Sequence, residues 1–323
     1  MLAHSVGGAV RIRSFLLALI LLCFVEIFEA SGSMLPFPES RFVEVGGATF
    51  HLRLFVPSGA PRGKVLFVHG LGGSTFSWRY APEYLLSQGW SLVLVDLPGF
   101  GYSSRKGVGS MEEQAERLWE LLRVLEEEGH VPQKVPWFFV GHSMGGGVVF
   151  LMSMEHPERV AGTVLIAPAF GRGGLRALQP LFVSSLVRGF FSTLLRRTFL
   201  TPSRVRQFLA SAYGRTPKEE EFLGYFKPLQ EKGTSRALLT FFLNASRIRL
   251  SAFAGKPHPP FLVLLGADDS WTKKDTERFL QTFPEASFLV IPGAAHCPME
   301  THPKECFSAI REFFLNESRG CGR

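Results

Sequence analysis

Six short apolar runs, "KVLFVHG", "SLVLVDLPG", "VPWFFVGHS", "VAGTVLIAP", "PFLVLLGADD" and "SFLVIPGAAH", constrain the fold of this chain more than any other feature. Each is rich in β-branched or aromatic residues and ends in small or polar ones, which is how a buried strand of a parallel sheet reads. Longer helical patterns separate them, among them "SMEEQAERLWELLRVLEEEG", "TKKDTERFLQTF" and the terminal "HPKECFSAIREFFLNES". The stretch "STFSWRYAPEYLLSQG" reads as a further helix. Ahead of these, "RFVEV" and "TFHLRLFVP" flank Gly46 and Gly47 as an opening hairpin. Strands alternating with crossover helices predict an α/β protein with a mostly parallel eight-stranded sheet flanked by helices. In such open sheets functional residues sit at the carboxyl ends of the strands.

The alternation fails between "VLIAP" and "FLVLLG" for roughly 85 residues, far beyond the ~12-residue minimum of a crossover. Residues 171–256 are therefore read as an inserted helical lid between a first core part, 33–170, and a second, 257–323. Thr or Ser caps followed by Pro mark four helices within it. The insert carries fifteen Lys or Arg against four Glu, whereas the whole chain nets +7. Most of these charges are expected to solvate helix faces, and an anionic membrane surface or acidic substrate is the alternative. Phe182, Phe190, Phe191, Phe199, Phe226, Phe241 and Phe242 fall in the insert, and most are expected to pack against the core.

Arg11 and Arg13 precede the apolar run "FLLALILLCFV", which Glu26 interrupts. A signal-peptide core needs about 7 to 15 apolar residues and a spanning helix ~20, so residues 1–32 are expected to be a signal peptide. An uncleaved signal anchor is the competing reading, because Ile27 and Phe28 extend the run. Either predicts the secretory pathway, with the protein secreted or membrane-anchored. Sequons at Asn244 and Asn316 fit that route. Cys23, Cys297, Cys306 and Cys321 have neither zinc-ligand nor disulfide-framework spacing, so no metal is expected. No recognised motif accompanies the basic charge, so no nucleic-acid partner is expected either.

The run "VPWFFV" leads into "GHSMGGG", in which Gly141 and Gly145 bracket Ser143. A serine on a very tight strand-to-helix turn needs small neighbours, and the turn leaves its hydroxyl exposed at a helix amino end, with the Met144 N–H placed to donate to an oxyanion. A serine hydroxyl is a poor nucleophile until a base removes its proton, and a neutral imidazole held by a carboxylate is the usual base near neutral pH. His296 follows the last strand. His69 and His142 lie beside the expected oxyanion loop and elbow, where structural or loop-orienting roles are expected, and His156, His258 and His302 lie in helices or loops. The strand "VLIAP" is followed by no carboxylate, so the acid must come from "GADDS", that is, from Asp268 or Asp269. Asp96 and Glu300 are expected to anchor their loops.

These stretches resemble the α/β-hydrolase family over most of 41–316. "FVHGLGGS" is similar to the family's oxyanion loop, which implies that the Leu71 N–H is a second donor. "DLPGFGYS" resembles the loop after its fourth strand, "GADDS" its acid turn, and "IPGAAHCPMETHP" the turn that bears its histidine. The family spacing selects Asp269 over Asp268. The resemblance thus implies a cofactor-free serine hydrolase with Ser143, Asp269 and His296 as the triad and Leu71 and Met144 as oxyanion donors. A hydrophobic, lipid-like carboxylic ester is the expected substrate. Carbon–carbon bond hydrolysis, perhydrolysis and a slow-turnover ligand receptor are the alternatives. Haloalkane dehalogenase and epoxide hydrolase chemistry is disfavoured, because those relatives place Asp where this chain has Ser143.

Overall fold

The computed structural model describes residues 35–171 and 175–320, and the fold lies in the unit that starts at Glu39. The expected signal or anchor segment lies outside the described residues, as do Cys23 and Cys321. Among the described residues no helix is long and apolar enough to cross a membrane.

Eight strands form one sheet: β1 (Ser40–Val45), β2 (Ala48–Phe55), β3 (Gly63–Val68), β4 (Trp90–Val95), β5 (Trp137–His142), β6 (Val160–Ile166), β7 (Phe261–Gly266) and β8 (Ser287–Ile291). Their spatial order is β1-β2-β4-β3-β5-β6-β7-β8. β2 pairs antiparallel with β1 and β4, and every other pairing is parallel. Gly46 (φ +55°) and Gly47 (φ +74°) close the β1–β2 hairpin in the left-handed conformation that a tight two-residue turn requires.

The longer helices are α1 (Met111–Glu127), α2 (Met144–Glu155), α3 (Ser185–Phe199), α4 (Pro202–Tyr213), α5 (Glu219–Leu229), α6 (Thr234–Asn244), α7 (Lys273–Thr282) and α8 (Pro303–Gly320). Strand side chains alternate between two apolar layers, as the two-residue period demands. Leu66 and Val68 of β3 and Phe139 of β5 pack with α1 and α2, whereas Val65, Phe67 and Phe138 pack with Phe307 and Ile310 of α8. Helix α2 is apolar all round because it is buried all round. Its Phe150 meets Phe170, Phe253, Phe279 and Phe283 at ring distances of 5.6, 5.3, 5.7 and 5.6 Å. Burial of such a side chain contributes about 1.5–3 kcal/mol.

The stretch expected to be one helix after the β3 loop is instead three short pieces: a 3-10 turn at Thr75–Trp78, a five-residue helix at Ala81–Leu85 and a 3-10 turn at Leu86–Gln88. Its amphipathic period is real, but side chains take the backbone donors. Ser74 Oγ accepts from Phe76 N, and the Asp96 carboxylate accepts from Thr75 N at 2.6 Å. Gly89, at φ +88°, then ends the last turn.

Between β6 and β7 the chain leaves the sheet for a 3-10 stretch (Leu175–Phe182) and α3 to α6. The first of the four expected insert helices starts at Ser185, after Pro180 and the Ser184 cap. Helix α5 begins after Lys218, with the Glu221 carboxylate accepting from Lys218 N at 2.7 Å. The expectation that most insert phenylalanines are core is overturned. Phe190, Phe191, Phe199 and Phe242 are exposed, whereas Phe182 and Phe241 are buried. Helix α3 buries too narrow a stripe to cover them, with Ser192 its one fully buried residue.

A buried carboxylate ties two helices of the insert to the core. Glu300, 2% exposed, accepts from Tyr213 Oη of α4 at 2.8 Å, from Tyr225 Oη of α5 at 2.5 Å, and from the Arg79 guanidinium. Tyr225 Oη also lies 2.9 Å from Ser77 Oγ. Removing one partner of such a buried charge strands the others without solvent, which costs about 3–5 kcal/mol. Glu300→Ala should therefore lower the urea unfolding free energy by roughly that much. Glu300→Gln, which keeps an acceptor, should lose less. Equal stability of Glu300→Ala and the parent protein would contradict this anchoring.

Candidate active site

The turn between β5 and α2 sets Ser143 at φ +51°, ψ −119°, a conformation that side-chain-bearing residues rarely hold. The surrounding backbone over-determines it. Ser143 N donates to Ile166 O at 3.0 Å, while Ser143 O accepts from Gly146 N and Ala169 N, each at 2.9 Å. The glycines are sterically required. A Cβ on Gly141 would lie 2.3 Å from Gly145 O, and one on Gly145 would lie 2.2 Å from Val68 O of the neighbouring strand.

The other two expected residues arrive from the ends of β7 and β8. Asp269 and His296 are buried, and His296 Nδ1 lies 3.1 Å from Asp269 Oδ2. Asp268 is exposed, and the imidazole meets Asp269 instead. Burial raises the Asp269 pKa, but the hydrogen bond and charge of His296 and the donors Thr272 Oγ1 and Trp271 N outweigh it and hold the carboxyl at about 2. It stays ionised at every working pH. No hydrogen bond joins Ser143 Oγ to His296 among the described residues, and both side chains line the same cavities. Such links are often loose until substrate binds.

His296 is held between two rings, Trp271 at 4.7 Å and His142 at 4.8 Å. His142 Nε2 lies 2.9 Å from His296 O, where an N–H donates to the carbonyl. Burial, reinforced by the charge of His296, lowers the His142 pKa to about 3. His142 is thus a neutral positioning ring beside the site. His69 joins two loops. Its Nδ1 lies 2.7 Å from Gly70 O and its Nε2 accepts from Leu97 N at 3.1 Å. Asp96 does the same for a wider set, with Oδ1 accepting from Thr75 N and Oδ2 from Tyr102 N and His51 Nδ1, each of the last two at 2.7 Å. Together they shape the loop bearing Leu71. Neither Leu71 N nor Met144 N has a protein acceptor among the described residues.

Trp271 and Thr272 carry more of the site than the sequence suggested. A signal was present: an Asp side chain commonly accepts from the N–H two residues on, which in "DDSWT" selects Asp269 with Trp271. Trp271 also lines two cavities, of which the first contains Ser143. One, about 350 Å³, has Met111, Ala169 and Phe241 on its walls. A second, about 610 Å³, is lined by Leu195, Phe199, Phe208 and Leu238 of the insert. Leu71, Phe242 and Trp271 belong to both.

A three-layer sheet with a serine elbow, a buried His–Asp pair and unpartnered amides is the architecture of a hydrolase. The chain belongs to the alpha/beta hydrolase family, whose model matches residues 65–309. The pimeloyl-[acyl-carrier protein] methyl ester esterase of Yersinia enterocolitica serotype O:8 is 30% identical, with 79% of this chain and 93% of the relative aligned. Among solved structures, a thermophilic esterase from Thermogutta terrifontis superposes with a TM-score of 0.67 at 23% identity, covering 86% of this chain and 99% of that one. A membrane phospholipase A described as a bacterial virulence factor gives the same TM-score at 21% identity, covering 95% and 99%.

The depressed His142 pKa has a thermodynamic consequence. The unfolded chain binds a proton near pH 6.5 and the folded chain only near 3, so stability falls as pH drops from 6.5 toward 3. His142→Gln, which retains a donor toward His296 O, should flatten the melting-temperature profile between pH 6.5 and 4.5. An unchanged slope would show that His142 is not held neutral.

Proposed function

We propose that the protein is a serine hydrolase that cleaves hydrophobic carboxylic esters through an acyl-enzyme on Ser143. The observation that carries this reading is the convergence of a strained, partly exposed serine, a buried His296–Asp269 pair and two unpartnered backbone donors on one apolar cavity. Asp269 accepts the Nδ1 proton of His296, which leaves Nε2 as the lone-pair nitrogen toward Ser143. His296 takes the hydroxyl proton as Oγ attacks the ester carbonyl, then returns it to the departing alkoxide. Asp269, held at about 2, takes no proton and stabilises the imidazolium. The N–H groups of Leu71 and Met144 receive the oxyanion, each worth on the order of 3 kcal/mol in the transition state. Water then resolves the acyl-enzyme by the same proton relay in reverse.

The substrate class follows from the walls. The cavity at Ser143, and the larger one that shares Leu71, Phe242 and Trp271 with it, are both lined mainly by aliphatic and aromatic side chains, which suits an acyl chain rather than a polar group. The insert supplies one wall and acts as a lid over the serine in this reading. The names of the relatives agree with an ester substrate, and the size of the second cavity favours a long one.

Steady-state hydrolysis of para-nitrophenyl esters from acetate to long acyl chains tests the reading. Turnover should vanish in Ser143→Ala, should fall about 10³ to 10⁴-fold in Asp269→Asn through loss of the correct imidazole tautomer, and should peak beyond the short esters. Turnover that survives in Ser143→Ala would overturn it. Negligible turnover of the folded parent across the whole series would favour a carbon–carbon bond substrate or a receptor role.

A further inference from the structure

The insert carries a surface that neither the fold nor the catalytic reading uses. On α3, Leu186, Phe190 and Leu194 are 84%, 66% and 45% exposed. Their spacing of four, with Arg197 three residues further on, places them on one outward helix face. An exposed apolar stripe rimmed by polar residues marks a site of protein or membrane contact.

The charge around the stripe selects what that is. No Asp or Glu occurs between Glu158 and Glu219, a stretch holding ten Lys or Arg. Arg188, Arg196, Arg197 and Arg204 pair with no carboxylate among the described residues. A helix with exposed Leu and Phe flanked by unpaired Arg suits an interface that is apolar beneath and anionic at its surface. The site lies on the other side of α3 from this stripe. Phe199 and Phe208 are both exposed and form walls of the 610 Å³ cavity, which shares Leu71 and Trp271 with the cavity at Ser143.

We propose that this face of α3 docks the protein on an anionic phospholipid bilayer, with Leu186, Phe190 and Leu194 inserted at the headgroup boundary and Arg196 and Arg197 against the phosphates. Docking delivers the cavity walled by Leu195 and Phe199, on the other face of α3, to the membrane surface where a hydrophobic ester resides. The delivery step rests on the ester-hydrolase reading, whereas the docking does not.

Hydrogen exchange of the full chain on vesicles separates the two. Peptides covering 185–200 should exchange at least ~5-fold more slowly with vesicles containing phosphatidylserine than with pure phosphatidylcholine, given a contribution of about 5-fold per basic residue. Leu186→Asp combined with Phe190→Asp should abolish that protection, and Arg196→Glu combined with Arg197→Glu should remove most of the difference between the two vesicle types. Both variants should hydrolyse soluble para-nitrophenyl acetate like the parent, which verifies their fold and tests the ester reading by itself. Unchanged α3 exchange on anionic vesicles would overturn the proposal. So would slow exchange in vesicle-free buffer, which would mean that a second copy or another part of this chain already covers the face.

Discussion

The close approach of the Ser143 turn to strand β3 is the constraint on which the rest of the site depends. A left-handed serine costs on the order of 1–3 kcal/mol, and it persists only where the surrounding structure holds it. Here that hold consists of the bonds from Ile166, Gly146 and Ala169 and of the absence of a Cβ at Gly141 and Gly145. Because Gly145 sits against Val68 O and His69 O, the amino end of α2 is brought beside the loop that leaves β3. That juxtaposition leaves Met144 N and Leu71 N around one cavity without partners among the described residues. A bulkier residue at either glycine would separate the two strand ends, and the donors with them.

Three buried carboxylates then fix what stands around the turn, and each does so with different partners. Asp96 organises backbone N–H groups and His51, and so sets the loops after β3 and β4. Asp269 holds one imidazole and the start of α7. Glu300 gathers two tyrosines and an arginine from three separate segments, and so fastens α4 and α5 four residues beyond His296. A buried charge is tolerated only when it is fully bonded, so each of these groups specifies one arrangement of its neighbours. The helices of the insert are therefore fixed to the core at α4 and α5, whereas α3 keeps its outer face to solvent.

Much of this was legible in the chain. Strands such as "VLFV" and "LVLLG" could be read because both of their faces are buried, which makes them continuously apolar and ends them abruptly. Ser143, Asp269 and His296 were legible because each follows such an end. The choice between Asp268 and Asp269 was harder, since adjacent residues differ only in which one the turn points inward. The three pieces over Thr75–Gln88 were hidden because their donors are taken by Asp96 and Ser74. The exposed phenylalanines of α3 were hidden for a different reason. An amphipathic pattern reports that a face is apolar, and does not report whether protein lies against it.

The covalent step is the centre of the account, and intact-protein mass spectrometry during turnover of a para-nitrophenyl ester observes it directly. Rapid acid quenching in the first turnover should reveal a single acyl adduct, mapped by digestion to the peptide containing Ser143 and absent from Ser143→Ala. Continued ester hydrolysis with no adduct on Ser143 at any quench time, or with the acyl group on another side chain, would contradict the nucleophile assigned here.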